Sequence, residues 1–182
     1  ALSLNNLALL YDNQGRYAEA ESLYKRSLAI KEKNLGSDHV DVALSLNNLA
    51  LLYDNQGHYA EAETLFKRSL TIYEKAFDSE HPSVAMSLGN LAFLYGNQGR
   101  FEEALVASRS STDIYLRRFS EGFGELTKGA RSEQQKISIS FLLHIDLLGR
   151  SMQEASSALA AAGAAQSARQ ALLDTDIVKC LG

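Results

Sequence analysis

The stretch Ala1–Gly15, ALSLNNLALLYDNQG, returns without a change at Ala43–Gly57. The likeness extends further, since residues 1–42 and 43–84 agree at 31 of 42 aligned positions. Residues 85–126 form a third copy, which agrees with the second at 17 positions, most of them in its first half. A fixed period of 42 residues predicts a repeat architecture in which each copy is one structural unit.

Each copy carries two apolar stripes with helical spacing. In the first copy, the first stripe consists of Leu4, Leu7, Ala8 and Tyr11. This is the i, i+3, i+4, i+7 pattern of an amphipathic helix, and a second stripe follows Gly15, a residue able to take the positive φ that ends a helix. The single proline, Pro82, suits the first position of a helix because proline has no N–H to leave unpaired. Each copy is therefore predicted to be a helical hairpin, and the fold class to be all-α.

Composition and charge exclude several classes of protein. A net charge of -4 removes the basic surface expected of a protein that binds nucleic acid or an anionic membrane. No apolar stretch approaches the roughly 18 residues of a membrane span. The single cysteine, Cys180, cannot form an intrachain disulfide or a four-cysteine zinc site. We expect a soluble, cytoplasmic protein with no nucleic-acid or membrane partner.

The repeated residues resemble the tetratricopeptide repeat family. The matching positions of the first copy are Leu7, Ala8, Tyr11, Gly15, Tyr17, Ala20, Tyr24 and Ser27, and the other two copies match likewise. The 42-residue spacing, the LNNLA core and the DHVDV and EHPSV connectors are most similar to the repeats of kinesin light chains. The resemblance covers residues 1–126 and implies a right-handed solenoid of three antiparallel hairpins, with bounds at 1–42, 43–84 and 85–126.

Beyond residue 126 the repeat fades after a run of glycines, and a different unit begins. Its apolar residues space as one helical face and an alanine-rich tract follows. We expect residues 127–182 to form a further helical hairpin, because a solenoid must cover the apolar face at its end. The stretch SEQQK followed by FLLHIDLL is similar to the helical segment that joins such repeats to caspase-like CHAT protease domains in bacterial proteins.

The tetratricopeptide resemblance implies a concave groove lined by the first helix of each hairpin. The family's ligand-contacting positions include, in this sequence, Asn5, Asn6, Leu9, Asn13, Asn47, Asn48, Leu51, Asn55, Gly89, Asn90, Phe93 and Asn97. A carboxamide offers two donors and an acceptor, so a column of asparagines can bond the main chain of an extended peptide of any sequence. By resemblance to kinesin light chains, Asn6, Asn48 and Asn90 contact the bound peptide.

Two features of the third copy bear on this interpretation. Duplication copies a residue whether or not it is useful, but Asn90 and Asn97 persist in a copy that has diverged at 25 of 42 positions. Gly89 and Gly96 stand inside the same predicted helix, where each glycine costs up to about 1 kcal/mol. They indicate either close approach of another group, beside an exposed Phe93, or drift near the end of the array.

No arrangement of residues indicates catalysis. Cys180 has no identifiable base, and His39 and His81 occupy the same connector position in successive copies, which repeat architecture explains better than metal binding. We expect no enzyme activity, no cofactor and no metal. The predicted function is a scaffold that binds an extended peptide or a partner protein in the groove.

Two alternative functions stay open. The sequence opens at Ala1 without an initiator Met, so we expect it to be part of a longer protein. It could then be the regulatory or sensor arm of a larger effector such as a CHAT protease. It could also be a self-assembly module, a homo-oligomer joined through the ends of the solenoid, where Leu4 and Tyr11 face a neighbour.

Overall fold

The computed structural model describes residues 2–121, 143, 146, 147 and 149–162. Six helices follow one another: α1 Leu2–Asn13, α2 Tyr17–Leu35, α3 Val40–Asn55, α4 Tyr59–Ala76, α5 Pro82–Asn97 and α6 Phe101–Glu121. The described residues from 143 to 162 are helical as well, and no strand occurs in the part of the chain that the structure describes. The fold is all-α, which confirms the class predicted from the two stripes in each repeat.

Each helix packs against its neighbours in chain order. The most extensive contacts are α1 with α2, α3 with α4 and α5 with α6, so these six helices pair into three consecutive hairpins. Contacts of α2 with α3 and of α4 with α5 stack one hairpin on the next. One buried cluster joins Tyr24 of the first hairpin to Leu52 of the second, and another joins Phe66 of the second to Leu94 of the third. The core of this solenoid is therefore continuous across the hairpins.

Turns and helix starts follow local chemistry that recurs with the repeat. The glycine between the two helices of each hairpin has a positive φ, as Gly15 does at 73°. His39 Nδ1 accepts the backbone N–H of Asp41 at 3.1 Å, and His81 Nδ1 accepts that of Ser83 at 3.2 Å. Both histidines are thus N-caps, which gives the repeated histidine a structural role. Pro82 is the first residue of α5, as predicted.

The junction between the second and third hairpins is held by an ion-pair network around Glu63. Arg100 Nη1 lies 2.7 Å from Glu63 Oε2, Lys67 Nζ lies 2.7 Å from Oε1, and the Tyr95 hydroxyl donates to Oε1 at 3.2 Å. These contacts, the Arg100 hydrogen bond above all, lower the pKa of Glu63 to about 2. At the junction between the first and second hairpins, His58 occupies the position equivalent to Arg100. This first junction therefore lacks the arginine that pairs with Glu63 at the second.

Buried polar groups differ between the two junctions. Lys31 of α2 is buried, and its Nζ donates to Ser45 Oγ at 2.8 Å and to the carbonyl of Asp41 at 3.1 Å. Tyr73 of α4 occupies the position equivalent to Lys31. The hydroxyl of Ser87, which is equivalent to Ser45, is buried and finds no hydrogen-bond partner among the described residues. Because Tyr73 on α4 replaces the lysine found at this position of α2, the Ser87 hydroxyl on α5 has no amine to accept from. This replacement accounts for the missing hydrogen bond of Ser87.

The two serines make a matched pair for mutation. We expect Ser45→Ala to lower the free energy of unfolding by about 1–2 kcal/mol, because the buried Lys31 ammonium loses an acceptor. Ser87→Ala is expected to be neutral or stabilising, because it removes a buried hydroxyl that has no partner. Urea unfolding followed by circular dichroism measures both. Equal destabilisation by the two variants would contradict this assignment.

Candidate functional site

The predicted site residues lie on one side of α1, α3 and α5, a surface that we call the A-face. It comprises Asn5, Asn6, Leu9, Asn13, Asn47, Asn48, Leu51, Asn55, Gly89, Asn90, Phe93 and Asn97. Within each helix these residues stand at positions i, i+1, i+4 and i+8, which fall in an arc of about 100°. Hydrogen bonds between the helices, described below, place the three arcs side by side.

A row of exposed apolar side chains crosses the A-face. Leu9, Leu51 and Phe93 occupy the same position in successive hairpins, and their exposed fractions are 50%, 36% and 49%. One exposed leucine on a surface needs no explanation, but here large apolar residues are exposed in register on three helices. The expectation that Phe93 is exposed is confirmed.

Asparagines of the A-face bond one another across the hairpins. Asn48 Nδ2 donates to Asn5 Oδ1 at 3.2 Å, and Asn90 Nδ2 donates to Asn47 Oδ1 at 2.8 Å. In both carboxamide pairs the donor and the acceptor are 43 residues apart, one more than the repeat length. The donor therefore directly follows the residue that is equivalent to the acceptor. Asn47 is only 4% exposed, so it lies beneath the surface and acts within the fold. The donors Asn48 and Asn90 are half-buried.

A second set of pairs joins an asparagine to an aspartate. Asn97 Nδ2 lies 3.5 Å from both carboxylate oxygens of Asp54. One hairpin earlier, burial raises the pKa of Asp12, and the side chain of Asn55 partly opposes that rise. Burial raises the pKa of the Asp54 carboxyl, and the Asn97 hydrogen bond partly opposes that rise. Sequence reasoning did not include Asp12 and Asp54 among the site residues. Their recurrence at the repeat spacing beside Asn13 and Asn55 is the signal that could have identified them.

Both donor asparagines of the carboxamide pairs keep unused hydrogen-bonding capacity. A carboxamide has two N–H donors and one oxygen acceptor. Asn48 and Asn90 each use one N–H in the pair and are partly open to solvent. The second N–H and the oxygen are therefore able to bond a ligand while the pair holds the side chain in place. Asn6 and Asn13, on the first hairpin, are exposed.

The third hairpin has glycine at both acceptor positions. Gly89 replaces the acceptor Asn47, and Gly96 replaces the acceptor Asp54, so neither kind of pair can continue beyond α5. A Cβ on Gly96 would lie 2.7 Å from Leu147 Cδ2, and Leu147 is buried against this hairpin. Of the two alternatives that the sequence left open, close approach is therefore the one observed at Gly96. At Gly89 a Cβ would meet Ser111 Oγ at 3.5 Å, an ordinary contact distance.

Leu147 also bears on the predicted C-terminal hairpin. It belongs to the core cluster that contains Leu91, Tyr95 and Ala107, and Leu143 packs against the same cluster. The helical residues from 143 to 162 therefore cover part of the end of the array. Residues 149–162 are one uninterrupted helical run that includes the start of the alanine-rich tract, and the rest of that tract, like Cys180, lies outside the described residues.

The helices of the A-face are nearly free of charge. Lysine and arginine are absent from α1, α3 and α5, whose only charged residues are Asp12, Asp41 and Asp54. Across residues 2–121 and the described part of 143–162, no group of three or more His, Cys, Asp and Glu could hold a metal ion. In that same portion, no helix is both long enough and apolar enough to cross a membrane. The chemistry of the A-face is that of carboxamides and apolar side chains.

The two glycines offer a second matched pair for mutation. Gly89→Ala is expected to raise the free energy of unfolding by about 0.5–1 kcal/mol, because alanine favours the helix and finds ordinary contact distances. Gly96→Ala is expected to raise the free energy of unfolding by less than Gly89→Ala does, or to lower it, because Leu147 must move away from the new methyl group. Thermal unfolding of both variants is the measurement. A larger gain at Gly96 than at Gly89 would contradict the packing of Leu147 described above.

Solved structures share this architecture. The nearly identical TPR-like repeats of a Podosopora anserina protein of the kinesin light chain type give a TM-score of 0.55 at 21% identity, over 81% of this chain and 91% of that one. A variant of those repeats with one substitution gives a TM-score of 0.55 at 20% identity, over 83% of this chain and 91% of that one. BtubC (BKLC) from P. vanneervenii gives 0.61 at 20% identity, over 85% of this chain and 62% of that one. At these identities the likeness concerns the fold.

Sequence comparison assigns the family. No curated protein matches the chain. The family model of the tetratricopeptide repeat matches residues 1–75 and 55–117, which together span all three hairpins as far as α6. Repeats of this family are scaffolds typical of protein–protein interaction. With three hairpins in phase, a matching family model and kinesin light chain-like structural neighbours, the chain belongs to the tetratricopeptide repeat family.

Proposed function

We propose that the chain is a non-catalytic scaffold that binds an extended peptide, free or as a segment of a partner protein, on the A-face. The observation that carries this proposal is the row Leu9, Leu51 and Phe93, exposed in all three hairpins beside asparagines with unused donors. An extended peptide has main-chain groups that such carboxamides can bond and side chains that such a row can bury. In this account the A-face lines the concave side of the array.

The charge of the A-face favours a particular class of peptide. Acidic peptides need cationic partners, which α1, α3 and α5 do not provide. Basic side chains would have only Asp12 and Asp54 nearby, and both carboxylates are partly buried, with Asp54 already bonded to Asn97. We therefore propose a ligand segment of apolar and uncharged polar residues.

The carboxamide pairs contribute to binding by holding the donors in place. An asparagine that is free to rotate loses conformational entropy when a ligand fixes it. Asn90 is already fixed by its 2.8 Å bond to Asn47, and Asn48 by its 3.2 Å bond to Asn5. The same bonds that join the hairpins therefore reduce the entropic cost of binding.

A peptide library displayed on phage and selected on the immobilised chain tests this function. We expect selected peptides to bind at least tenfold more weakly to a Leu51→Ala, Phe93→Ala double variant, which removes apolar contacts without touching the asparagine pairs. Leu116→Ala on α6 is the matched control, because Leu116 is 45% exposed and lies outside the A-face helices. Its affinity for the peptides should not change.

Three results would contradict the proposal. Selection could yield no peptide above background, or the double variant could bind the peptides as well as the unmodified chain. The control could also lose as much affinity as the double variant. Isothermal titration calorimetry provides the affinities, and circular dichroism checks that all variants keep their helix content.

A further inference from the structure

The apolar row of the A-face is bordered by asparagines on both sides. Leu9, Leu51 and Phe93 each follow one asparagine by three residues and precede another by four. Residues three and four apart are neighbours on a helix surface, so each member of the row lies between two carboxamides. The asparagines on one side are Asn6, Asn48 and Asn90, and those on the other are Asn13, Asn55 and Asn97. A ligand that lies along the row therefore meets the same set of groups once in each hairpin.

The interval between neighbouring members of the row follows from the packing of the helices. Asn48 on α3 bonds Asn5 on α1 directly, and Asn90 on α5 bonds Asn47 on α3. Helices that are close enough to share such side-chain contacts have axes roughly 8–10 Å apart. The apolar row and the asparagines beside it therefore repeat at about this interval from one hairpin to the next.

This interval selects among the regular conformations of a peptide. A β-strand rises about 3.3 Å per residue and turns every second side chain to the same face, so the side chains on one face are about 6.6 Å or about 13 Å apart. Neither value fits the row. An α-helix bonds its own carbonyls and leaves none along its middle for the asparagines. A polyproline II helix has three residues per turn and rises about 3.1 Å per residue, so its side chains repeat on one face every 9.3 Å or so.

The main chain of a polyproline II segment matches the A-face as well. Its carbonyls form no internal hydrogen bonds and are free to accept one. Asn48 and Asn90 each retain an N–H that is not used in the pairs with Asn5 and Asn47. Because every third residue of the ligand is equivalent, a carbonyl that accepts from Asn48 recurs one turn later at Asn90. One turn of the ligand thus corresponds to one hairpin of the chain.

We propose that the peptide bound on the A-face is a polyproline II segment of about nine residues, three for each hairpin, with an apolar side chain at every third position. This inference rests on the proposed function, because it specifies the ligand of the same surface. Proline is favoured between the apolar positions, since it fixes φ near the value of this conformation. The N–H that proline lacks is not needed by asparagines that donate to carbonyls.

The third hairpin offers an aromatic ring for such prolines. Phe93 is 49% exposed, and grooves that bind the polyproline II conformation are lined with aromatic side chains. One turn before Phe93 stands Gly89, where the other two hairpins have Asn5 and Asn47. A Cβ built on Gly89 would find only Ser111 Oγ within 4 Å among the described residues. The absent side chain therefore leaves room for a proline ring beside Phe93.

Two nine-residue peptides of equal composition test the period of the ligand. LSTLSTLST carries leucine at every third position, and LSLTLSTST carries it at every second position. We expect the full chain to bind LSTLSTLST at least tenfold more tightly in isothermal titration calorimetry. LSPLSPLSP is expected to bind several-fold more tightly again, because proline preorganises the ligand. Equal affinities for the two isomers, or weaker binding of LSPLSPLSP than of LSTLSTLST, would overturn the inference.

The variant Phe93→Leu tests the aromatic ring of the third hairpin. We expect it to weaken the binding of LSPLSPLSP at least twofold more than the binding of LSTLSTLST, because only the first peptide has prolines to pack on the ring. Leu116→Ala on α6 is the matched control and should leave both affinities unchanged. An equal loss for the two peptides would contradict the placement of proline beside Phe93.

The phage selection separates this inference from the function on which it rests. We expect the selected peptides to align with apolar residues three positions apart and with proline enriched between them. Peptides that depend on Leu51 and Phe93 but have apolar residues at every second position, or at the three-and-four spacing of a helix, would overturn the polyproline II assignment and leave the proposed function intact. Selection of no peptide, or of peptides that the Leu51→Ala, Phe93→Ala variant binds equally well, would overturn both.

Discussion

The junction between successive hairpins is the constraint on which the rest of this structure depends. A single hairpin has an apolar face on each side and is too small to bury either. The second helix of one hairpin covers the first helix of the next, as Tyr24 covers Leu52 and Phe66 packs with Leu94. Each repeat is therefore stabilised by its neighbours.

Polar side chains make the junction specific where apolar contacts alone would not. The two carboxamide pairs and the Asn97–Asp54 pair each join residues that are 43 apart, one more than the repeat length, and so fix the register of neighbouring hairpins. The same side chains border the exposed row of Leu9, Leu51 and Phe93. Stability of the array and the geometry of its proposed binding surface thus depend on one set of residues. At α5 the acceptors become glycines, and Leu147 packs where the next pair would form.

Local and periodic signals made much of the fold predictable from the sequence. The 42-residue period, the apolar stripes and Pro82 identified three helical hairpins and a helix start. The asparagine pairs could not be derived in this way, because Asn90 and Asn47 meet only when the hairpins stack. Burial of Lys31 and the packing of Leu147 on Gly96 also depend on stacking. The sequence located the A-face, but the division of its asparagines into buried acceptors and accessible donors required the structure.

A double-mutant cycle on Asn47 and Asn90 tests most directly whether the hairpins are coupled through these side chains. Unfolding free energies are measured for Asn47→Ala, Asn90→Ala and the double variant, with Asn47 and Asn97, which share no hydrogen bond, as the control pair. A coupling of about 0.5–1.5 kcal/mol between Asn47 and Asn90, with additive behaviour in the control, is the predicted result. Additivity within about 0.3 kcal/mol for both pairs would contradict the account.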